Sequence, residues 1–328
     1  MRALIAAAGT GGHIYPGIAV AKEILRRNPE SEIRFVGTAR GLEGKLVPKA
    51  GFELSIIESA GLKSVGSIAR LRGAAMLPRS FMAARRIIRD FRPDVVIGAG
   101  GYVSGPVVLT AAVSFEKSLS FFRGKGVVTG NPVRREFFEI PARLRTSGGF
   151  NILVFGGSQG AHAINEAMVA ALPELEGLRN SLRVTHQTGE ADFERVRSAY
   201  IEAGWSEQAD VRRYIDDMVV SFGEADLVIC RAGATTTAEL IAAGKASIMI
   251  PFPLAADDHQ RRNAEALEAE GAAKMILQQD LSGRRLAQEI EKLLQSPDII
   301  KSMESASHKL ARGDAAAAAV DLIEELIS

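Results

Sequence analysis

Short apolar runs alternate with amphipathic stretches along the whole chain. In the first half the runs predict strands near residues 3–7, 33–36, 54–57, 95–97 and 127–129. In the second half they predict strands near residues 152–155, 183–187, 211–214, 227–230, 247–251 and 274–277. The amphipathic stretches predict helices, one of which should begin at Pro16, because proline favours the first helical position. Strands that alternate with helices are typical of an α/β protein whose parallel sheets are covered on both faces.

Two glycine-rich turns each follow directly on a predicted strand, about half a chain apart. The first is Gly9–His13 and the second is Gly156–Ala161. A strand that breaks into glycines before a helix presents unpaired backbone N–H groups beside the positive end of the helix dipole, which suits a phosphate. Two such turns predict two doubly wound, Rossmann-like domains that face each other across a ligand-binding cleft.

A polar, unpatterned segment divides the two halves. We predict an N-terminal domain over residues 1–138, a linker over 139–150 and a C-terminal domain over 151–328. The tail from Ala315 to Ile327 has apolar residues at helical spacing. It therefore predicts a last helix that can pack back on the N-terminal domain.

Length, charge and cysteine content argue against several classes of protein. A length of 328 residues is enough for two hydrophobic cores, and a formal net charge of +1 argues against bulk nucleic-acid binding. The single cysteine, Cys230, falls in an apolar run, which excludes disulfides and fits a reducing compartment. The sequence shows neither a signal-peptide pattern nor an apolar run of membrane-spanning length, so we expect a soluble, cytoplasmic protein.

Common cofactor motifs are missing from the sequence. Neither glycine turn reads G-x-G-x-x-G, and the second predicted strand ends at Gly37-Thr38 without the acid that binds an NAD ribose. No lysine followed by serine or threonine continues either turn, which argues against a P-loop nucleotidase. No H-E-x-x-H or Cys/His cluster supports a zinc site. We therefore expect neither a cofactor nor a metal.

Polar residues concentrate at the strand ends of the second half. Glu239 lies in the segment that follows the strand ending at Cys230. It can complement a helix dipole, or it can accept hydrogen bonds from two ribose hydroxyls. The cluster from Asp257 to Gln260, with Asn263, follows the next strand, where open α/β sheets bind ligands. For Asp257 and Asp258, helix capping is an equal alternative.

A set of motifs occurs in one order along the chain. Its members are Gly9–His13, Gly100–Pro106, Gly130–Arg134, Gly156–Ala161, His186–Gly189, Arg231–Glu239 and Pro251–Gln260. In this order they resemble the bacterial undecaprenyl-diphospho-muramoylpentapeptide β-N-acetylglucosaminyltransferases. Each motif alone is weak, but the ordered set is specific and runs from the first residues to the last predicted strand.

This resemblance implies the GT-B fold and an inverting transferase. The expected reaction moves GlcNAc from UDP-GlcNAc to the C4 hydroxyl of MurNAc in the lipid-linked acceptor lipid I, which gives lipid II. The lipid cannot leave the bilayer, so we expect a peripheral protein on the cytoplasmic face of the cell membrane, bound to an anionic surface. Further expected partners are cell-wall and cell-division proteins. Nucleic acid is not expected.

The resemblance also implies site residues. Ser158 would hold the diphosphate, Ile215 the uracil and Glu239 the ribose, while Gln260 would contact the GlcNAc and Arg134 would border the nucleotide pocket. The remaining expected UDP-GlcNAc contacts are Thr10, Gly11, Gly12, Ala234, Thr235, Thr236, Thr237 and Ala238. On the acceptor side we expect Gly101, Tyr102 and Ser104.

His13 is the expected general base for the acceptor hydroxyl. Histidine has a suitable pKa, and the resemblance implies that the first glycine turn belongs to the acceptor side of the cleft. The alternative is a structural His13 that forms hydrogen bonds within its loop.

The sequence departs from the family after Val113. Roughly 35 family residues, about one strand–helix–strand unit of a doubly wound domain, have no counterpart there. Either the 328 residues omit a segment of the protein, or its first sheet is smaller than the family's. A doubly wound sheet that lacked central strands would expose its interior strands and would be poorly stable. We therefore expect that the 328 residues omit a segment of the protein.

Residues 61–92 mix basic and apolar side chains at helical spacing. The basic ones are Lys63, Arg70, Arg72, Arg79, Arg85, Arg86, Arg89 and Arg92. This pattern fits an interface with anionic lipid, and it equally fits a helix packed on the sheet with a solvated basic face. The lipid-linked acceptor of the family favours the membrane.

Two alternative functions stay open at this point. One is another GT-B enzyme, either a transferase or a UDP-GlcNAc epimerase. The other is a catalytically inert scaffold that binds a sugar nucleotide, which the departure after Val113 allows.

Overall fold

A computed structural model describes residues 1–7, 11–38, 41–57, 82–99, 111–113, 126–143, 149–157, 160–255, 258–311 and 315–327. The chain divides into two compact units. The first unit consists of Met1–Arg134 together with Gly313–Ser328, and the second unit consists of Arg135–Arg312.

The first unit is built on a parallel sheet with strand order β3-β2-β1-β4. Its strands are β1 (Arg2–Ala6), β2 (Glu32–Gly37), β3 (Glu53–Ile56) and β4 (Val95–Gly98). Its helices are α1 (Gly11–Arg27), α2 (Glu43–Lys49), α3 (82–91) and α11 (Ala315–Ile327). Two further strands, β5 (Ala111–Val113) and β6 (Gly126–Val128), form a separate parallel pair.

Strand β1 is buried on both faces. Ile5 packs with Ile14 and Ile18 of α1, whereas Leu4 packs with Val36 and Ile57 on the opposite face. Successive side chains of a strand point to opposite faces, so a strand covered on both sides needs a continuous apolar run. This requirement explains why the sequence pattern locates β1.

Helix α1 begins at Gly11, so the prediction that it begins at Pro16 is wrong. Pro16 lies inside the helix and is buried. Inside a helix, a proline removes the hydrogen bond to the carbonyl four residues earlier and its ring crowds that carbonyl, so the packing of the first turn must offset this cost. Ile14, which is fully buried, packs the first turn against the core. His13 consequently lies in a helical turn.

Helix α11 completes the core around the other end of α1. Val320 and Ile323 pack with Val20 and Ile24 of α1. The Arg27 guanidinium donates hydrogen bonds to the carboxylates of Asp321 and Glu324 and to the Ala317 carbonyl. The last helix of the chain is therefore held in the same unit as the first strand.

On α1, the buried carboxylate of Glu23 forms ion pairs with two arginines of the same helix. Glu23 is only 6% exposed, and its carboxylate accepts hydrogen bonds from Arg26 and Arg27. The bond from Arg26, together with the one from Arg27, outweighs the opposing effect of burial and lowers the pKa of Glu23 to about 2. Glu23 is therefore ionised at neutral pH, as its two arginine partners require.

Strand β4 is an edge of this sheet among the described residues, with β1 as its neighbour. Its Val96 is 54% exposed. Val113 ends β5, which is not among the strands that the sequence pattern predicts.

The second unit is built on a six-stranded parallel sheet with the order β12-β11-β10-β7-β8-β9. Its strands are β7 (Phe150–Phe155), β8 (Leu182–Gln187), β9 (Ala209–Arg212), β10 (Leu227–Cys230), β11 (Ser247–Met249) and β12 (Ala273–Met275). Its helices are α4 (His162–Ala171), α5 (Phe193–Glu202), α6 (Met218–Glu224), α7 (Ala234–Ala242), α8 (His259–Ala269), α9 (Gly283–Leu294) and α10 (Pro297–Lys309).

The strand order reverses beside β7. The chain leaves β7 for β8 and β9, then crosses to β10 on the other side of β7 and continues to β11 and β12. In the first unit the order reverses in the same way between β1 and β4. The loops that follow two such strands diverge, which leaves a crevice at their carboxyl ends. The prediction of an α/β fold with two doubly wound sheets is confirmed.

Cys230 lies at the end of β10 and is fully buried. Burial, reinforced by the nearby charge of Glu239, raises the pKa of its thiol. The thiol is therefore protonated and inert at neutral pH.

Candidate functional site

The glycine turn after β7 depends on backbone conformations that only glycine adopts easily. Gly157 and Gly160 have φ angles of +95° and +78°. A Cβ atom on Gly160 would lie 1.9 Å from the carbonyl oxygen of Thr188, so this turn packs directly against the backbone that follows β8. Helix α4 begins just beyond the turn, at His162. Its N-terminal N–H groups lie at the carboxyl edge of the sheet, which suits an anion.

A buried polar network supports the backbone beneath this turn. Asn165 of α4 donates a hydrogen bond to the Thr188 carbonyl at 2.9 Å and another to Asp192 at 2.8 Å. The ring of His186 contacts the Asn165 side-chain oxygen at 3.0 Å and the Tyr200 hydroxyl at 3.2 Å. Each of these side chains thus has a partner, as buried polar groups require.

Electrostatics keep this network in one charge state. Burial lowers the pKa of His186 to about 3, against a smaller opposing effect of Asp192, so its imidazole is neutral at physiological pH. Burial alone would raise the pKa of Asp192. Hydrogen bonds from Arg195, Asn165 and His162 outweigh that effect and lower the pKa to about 2. His162 itself is exposed.

The segment that follows β10 forms helix α7. Gly233 is its N-cap, and the Thr237 hydroxyl donates a hydrogen bond to the Gly233 carbonyl at 2.9 Å. Glu239 is the sixth helical residue and is 8% exposed. The helix dipole acts mainly on the first turn, so this position weakens the dipole alternative for Glu239. Ala234 is exposed, and Thr235, Thr236 and Ala238 are half-buried.

The loop after β11 is tied to helix α8. Gln260 accepts a hydrogen bond from the Phe252 N–H at 3.1 Å through its side-chain oxygen. The Asn263 amide donates to the Ala232 carbonyl at 3.0 Å, which connects α8 to the loop after β10. Asp258 occupies the N-cap of α8 with a φ of +54°, but its side chain makes no capping bond. The capping alternative for Asp258 thus lacks its hydrogen bond.

Arg231 also holds the loop that follows β11. Its guanidinium donates to the carbonyls of Ile250 and Pro251 and to the Gln278 side chain. Burial lowers the pKa of Arg231, although the guanidinium stays protonated at neutral pH. The sequence pattern contained Arg231 in a motif but assigned it no role.

In the first unit, His13 lies beside the switch point between β1 and β4. Its ring makes a hydrogen bond with the backbone of Ala99, the residue after β4. Burial lowers the pKa of His13, and the Ala99 bond opposes this effect only in part. The guanidinium of Arg134 stacks over the Tyr15 ring, 4.6 Å from its centre. Gly11 and Gly12 occupy the first turn of α1.

Several expected site residues lie outside the described residues. They are Thr10, Gly101, Tyr102, Ser104, Ser158 and Asp257. The other expected residues of the second unit follow β9, β10 and β11, and therefore share one edge of its sheet. Within the described residues, no group of three or more His, Cys, Asp or Glu side chains is arranged to hold a metal ion. Nor does any described helix combine the length and apolar character that crossing a membrane requires.

A cavity of about 190 Å³ lies at the other edge of the same sheet. Asn151, Arg183 and Ala209, at the amino ends of β7, β8 and β9, contribute to its lining. Open α/β sheets bind ligands at the carboxyl ends of their strands. The carboxyl edge, with its glycine turn and helix N-termini, is therefore the candidate site.

Two units built on doubly wound parallel sheets, the second with a glycine turn after β7 at its switch point, have the architecture of the GT-B class of glycosyltransferases. Residues 3–118 match the family described as glycosyltransferase family 28 N-terminal domain, and residues 151–325 match the glycosyltransferase family 28 C-terminal domain. The chain belongs to glycosyltransferase family 28.

Relatives in this family extend over nearly the whole chain. A protein of Citrifermentans bemidjiense is 46% identical over 98% of each chain, and it is named UDP-N-acetylglucosamine–N-acetylmuramyl-(pentapeptide) pyrophosphoryl-undecaprenol N-acetylglucosamine transferase. The alignment spans 353 positions against 328 residues here, a difference of 25. The relative therefore has at least that many residues without a counterpart in this chain.

Solved structures agree with the fold. The crystal structure of Acinetobacter baumannii MurG is 29% identical and superposes with a TM-score of 0.73 over 99% of both chains. A UDP-GlcNAc 2-epimerase from Neisseria meningitidis, solved with UDP-GlcNAc bound, gives a TM-score of 0.63 at 12% identity. At that identity the likeness shows the fold alone, so it does not favour the epimerase alternative.

The glycine turn generates a stability prediction. Replacing Gly160 by alanine should lower the free energy of unfolding of the second unit by at least about 2 kcal/mol, because a positive φ strains any Cβ and this Cβ would overlap the Thr188 carbonyl. The single tryptophan, Trp205, is fully buried in the second unit, so its fluorescence during urea unfolding reports on that unit.

Gly177→Ala is the matched control, since a Cβ there meets nothing within 4 Å. It should change the free energy of unfolding by no more than about 0.5 kcal/mol. Equal unfolding midpoints for the two variants would contradict the close packing of the turn against Thr188.

Proposed function

We propose that this chain transfers GlcNAc from UDP-GlcNAc to the C4 hydroxyl of MurNAc in undecaprenyl-diphospho-MurNAc-pentapeptide, lipid I, with inversion, and so forms lipid II for peptidoglycan synthesis. The observation that carries the proposal is the full-length similarity to transferases named for this donor and this acceptor. Transfer of labelled GlcNAc to a lipid I analogue tests it directly. A folded protein that binds UDP-GlcNAc but never labels the analogue would support the inert-scaffold alternative.

The donor would bind at the carboxyl edge of the second unit's sheet. Ser158 and the backbone of its glycine turn would hold the diphosphate, and Glu239 would accept hydrogen bonds from the ribose hydroxyls. Support comes from the switch point, since the loops after β7 and β10 lie on its two sides. Ile215 would contact the uracil and Gln260 the GlcNAc, while residues 234–238 would border the nucleotide through the first turns of α7.

Electrostatic stabilisation of the leaving group needs no side-chain chemistry. As the bond between the anomeric carbon and the diphosphate breaks, UDP gains negative charge. The N-termini of α4 and α7 lie at the sheet edge where that charge would develop. Preorganised N–H groups there would stabilise the leaving UDP and need no reorganisation during the reaction.

Inversion requires attack from the face opposite the leaving group. The acceptor oxygen bonds to the anomeric carbon, the carbon–diphosphate bond breaks, and the hydroxyl proton passes to a base. His13 would be that base. Its lowered pKa supports this role, because the imidazole is already neutral and able to accept a proton at neutral pH.

Peripheral docking on the cytoplasmic face of an anionic membrane would bring the enzyme to its lipid-linked acceptor. Helix α3 supports this step, because Ala83 and Ile87 pack inward beside Phe91 while the opposite face is exposed. The exposed face carries Met82 (61% exposed), Arg85, Arg86, Ile88 (44% exposed) and Arg89. Basic and apolar side chains on one face suit an anionic interface. Residues 61–81 of the proposed patch lie outside the described residues.

The proposal of cell-wall and cell-division proteins as partners rests on the family resemblance alone.

The ribose role of Glu239 predicts a specific loss of affinity. Glu239→Ala should weaken UDP and UDP-GlcNAc alike by about 1.5–3 kcal/mol, because a charge-assisted pair of hydrogen bonds is lost. Calorimetric titration with UDP and with 2′,3′-dideoxy-UDP separates this role from a general effect. The wild type should prefer UDP, and the variant should bind both nucleotides equally weakly.

Glu265→Ala, an exposed change on α8 of the same unit, should leave both affinities unchanged. Full retention of the preference for UDP by a folded Glu239→Ala variant would remove Glu239 from the ribose.

The base role of His13 predicts a loss in kcat. His13→Ala should lower kcat on a lipid I analogue by roughly 10²–10⁴-fold and leave UDP affinity nearly unchanged. In the wild type, kcat/KM should fall as the pH drops through the pKa of His13, because a protonated imidazole cannot accept the proton. Burial lowers that pKa, so this acid limb should lie below pH 6.5.

The His13→Ala variant should lose the acid limb, whereas His308→Ala on α10 should keep both the rate and the limb. If His13→Ala instead retained kcat and raised only the KM for the acceptor, His13 would bind the acceptor and the base would be another group.

The exposed face of α3 predicts salt-sensitive membrane binding. Changing Arg85, Arg86 and Arg89 to glutamine should reduce binding to vesicles that contain anionic lipid, since each basic side chain near such a surface contributes about 1 kcal/mol at most. High salt should remove the difference. Co-sedimentation with vesicles measures it, and UDP affinity should stay constant.

A control with the same change of charge replaces Arg197, Arg284 and Arg285, which are exposed in the second unit. Equal vesicle binding by both triple variants at low salt would exclude α3 as the docking face.

A further inference from the structure

Gln187 lies between two of the loops that the proposed donor site uses. It is the last residue of β8, is 1% exposed, and pairs in register with Phe155 of β7 and Arg212 of β9. The turn after β7 and the segment after β9 therefore begin on either side of it.

The side-chain amide of Gln187 joins these two loops. Its Nε2 donates a hydrogen bond to the Gly157 carbonyl at 2.8 Å. Its Oε1 accepts a hydrogen bond from the Ile215 N–H, also at 2.8 Å. One end of the amide must donate and the other must accept, so the two bonds together define its orientation. A hydrocarbon side chain of the same length makes neither bond, and a carboxylate makes only the second.

The Gln187 amide ties both loops to β8. Gly157 has a φ of +95° and no side chain. Its carbonyl accepts one hydrogen bond within the turn, from the Gly160 N–H at 3.0 Å, and the bond from Gln187 links that carbonyl to β8. A trans peptide unit is planar, so holding the Gly157 carbonyl fixes the orientation of the whole unit. Ile215, which is 2% exposed, follows the end of β9 in a segment without regular secondary structure.

We propose that Gln187 is a positioning residue that sets the spacing between the diphosphate-binding turn and the uracil-binding segment of the donor site. This inference rests on the proposed function, which assigns the diphosphate to the turn after β7 and the uracil to Ile215. Gln187 touches neither group in the proposal. It holds both loops at the separation at which one nucleotide reaches them together, which lowers the ordering cost of binding.

Replacing Gln187 by glutamate separates positioning from packing. At high pH the carboxylate cannot donate to the Gly157 carbonyl. Once protonated, the carboxylic acid again has one donor and one acceptor at nearly the same positions as the amide. Burial favours the protonated form and raises the pKa of such a group, so the change falls within an accessible pH range.

Charged residues lie close to Gln187 and Ile215 along the sheet and the chain. Arg212 is paired with Asp210 on β9, Asp217 caps the Val220 N–H, and Asp216 lies between Ile215 and Asp217. His186 precedes Gln187 on β8 but packs against α4 and α5, and it is neutral because its pKa is lowered to about 3. The wild type and Gln187→Met keep these same neighbours, so any pH dependence that the neighbours cause appears in both of these proteins.

The test measures UDP-GlcNAc binding by calorimetry between pH 5 and 8, because each phosphate of this donor has one ester and one anhydride linkage and so has no group that titrates there. At pH 8, Gln187→Glu and Gln187→Met should each weaken binding by about ten- to a hundredfold, that is by roughly 1.4–2.7 kcal/mol. As the pH falls, the glutamate variant should recover most of the wild-type affinity, whereas the methionine variant should not. The control Gln295→Met, at the exposed C-cap of α9, should match the wild type at every pH.

Three results would overturn the inference: wild-type affinity in Gln187→Met, an equal loss in both variants at every pH, or unfolding of both variants in the Trp205 assay. Failure of the proposed donor site looks different, because the wild type itself would then bind no UDP-GlcNAc. Failure of the transfer step alone would show in the lipid I assay and leave these affinities as expected.

Discussion

Parallel pairing of β7 with β8 on one side and β10 on the other is the constraint on which the second unit depends. To place a strand on each side of β7, the chain must first run to β8 on one side and later cross to β10 on the other side. The two connecting segments then separate at the carboxyl edge, where the backbone N–H groups of a glycine turn and of two helix starts lack ladder partners. The pairing of β1 with β2 and β4 creates the same opening in the first unit.

Glycine turns give this edge its chemistry but not its rigidity. Support comes from the layer beneath, where Asn165, His186 and Tyr200 form a buried network below Thr188 and Gln187 spans the neighbouring loops. Leaving one partner of such a buried bond unsatisfied costs roughly 1–3 kcal/mol. His186 remains neutral, so the network needs no buried counter-charge. Buried polar side chains beneath this edge thus determine how firmly the backbone of the proposed donor site is held.

Helix α1 connects the chemistry of the first unit with its stability. His13 lies in its first turn, where the helix approaches the backbone after β4. Glu23 and Arg27 lie near its other end, where α11 covers the apolar side chains of Val20 and Ile24. The proposed base, His13, therefore lies on a helix whose two ends both pack against other parts of the first unit. Helix α11 provides the contacts at one of these ends.

The local pattern of residues by itself determined much of this protein. Strands buried on both faces need continuous apolar runs, the turns need glycine at positive φ, and the ordered motifs pointed to the transferase family. The start of α1 at Gly11 could not be read from the pattern, because the packing of Ile14 overrides the low helix propensity of two glycines. Only tertiary structure placed Glu239 in the second turn of α7 and gave Gln187 its partners, which lie 30 and 28 residues away along the chain. Sequence periodicity shows which side chains are buried, whereas the pairing of buried polar groups depends on which distant loops the completed sheet brings together.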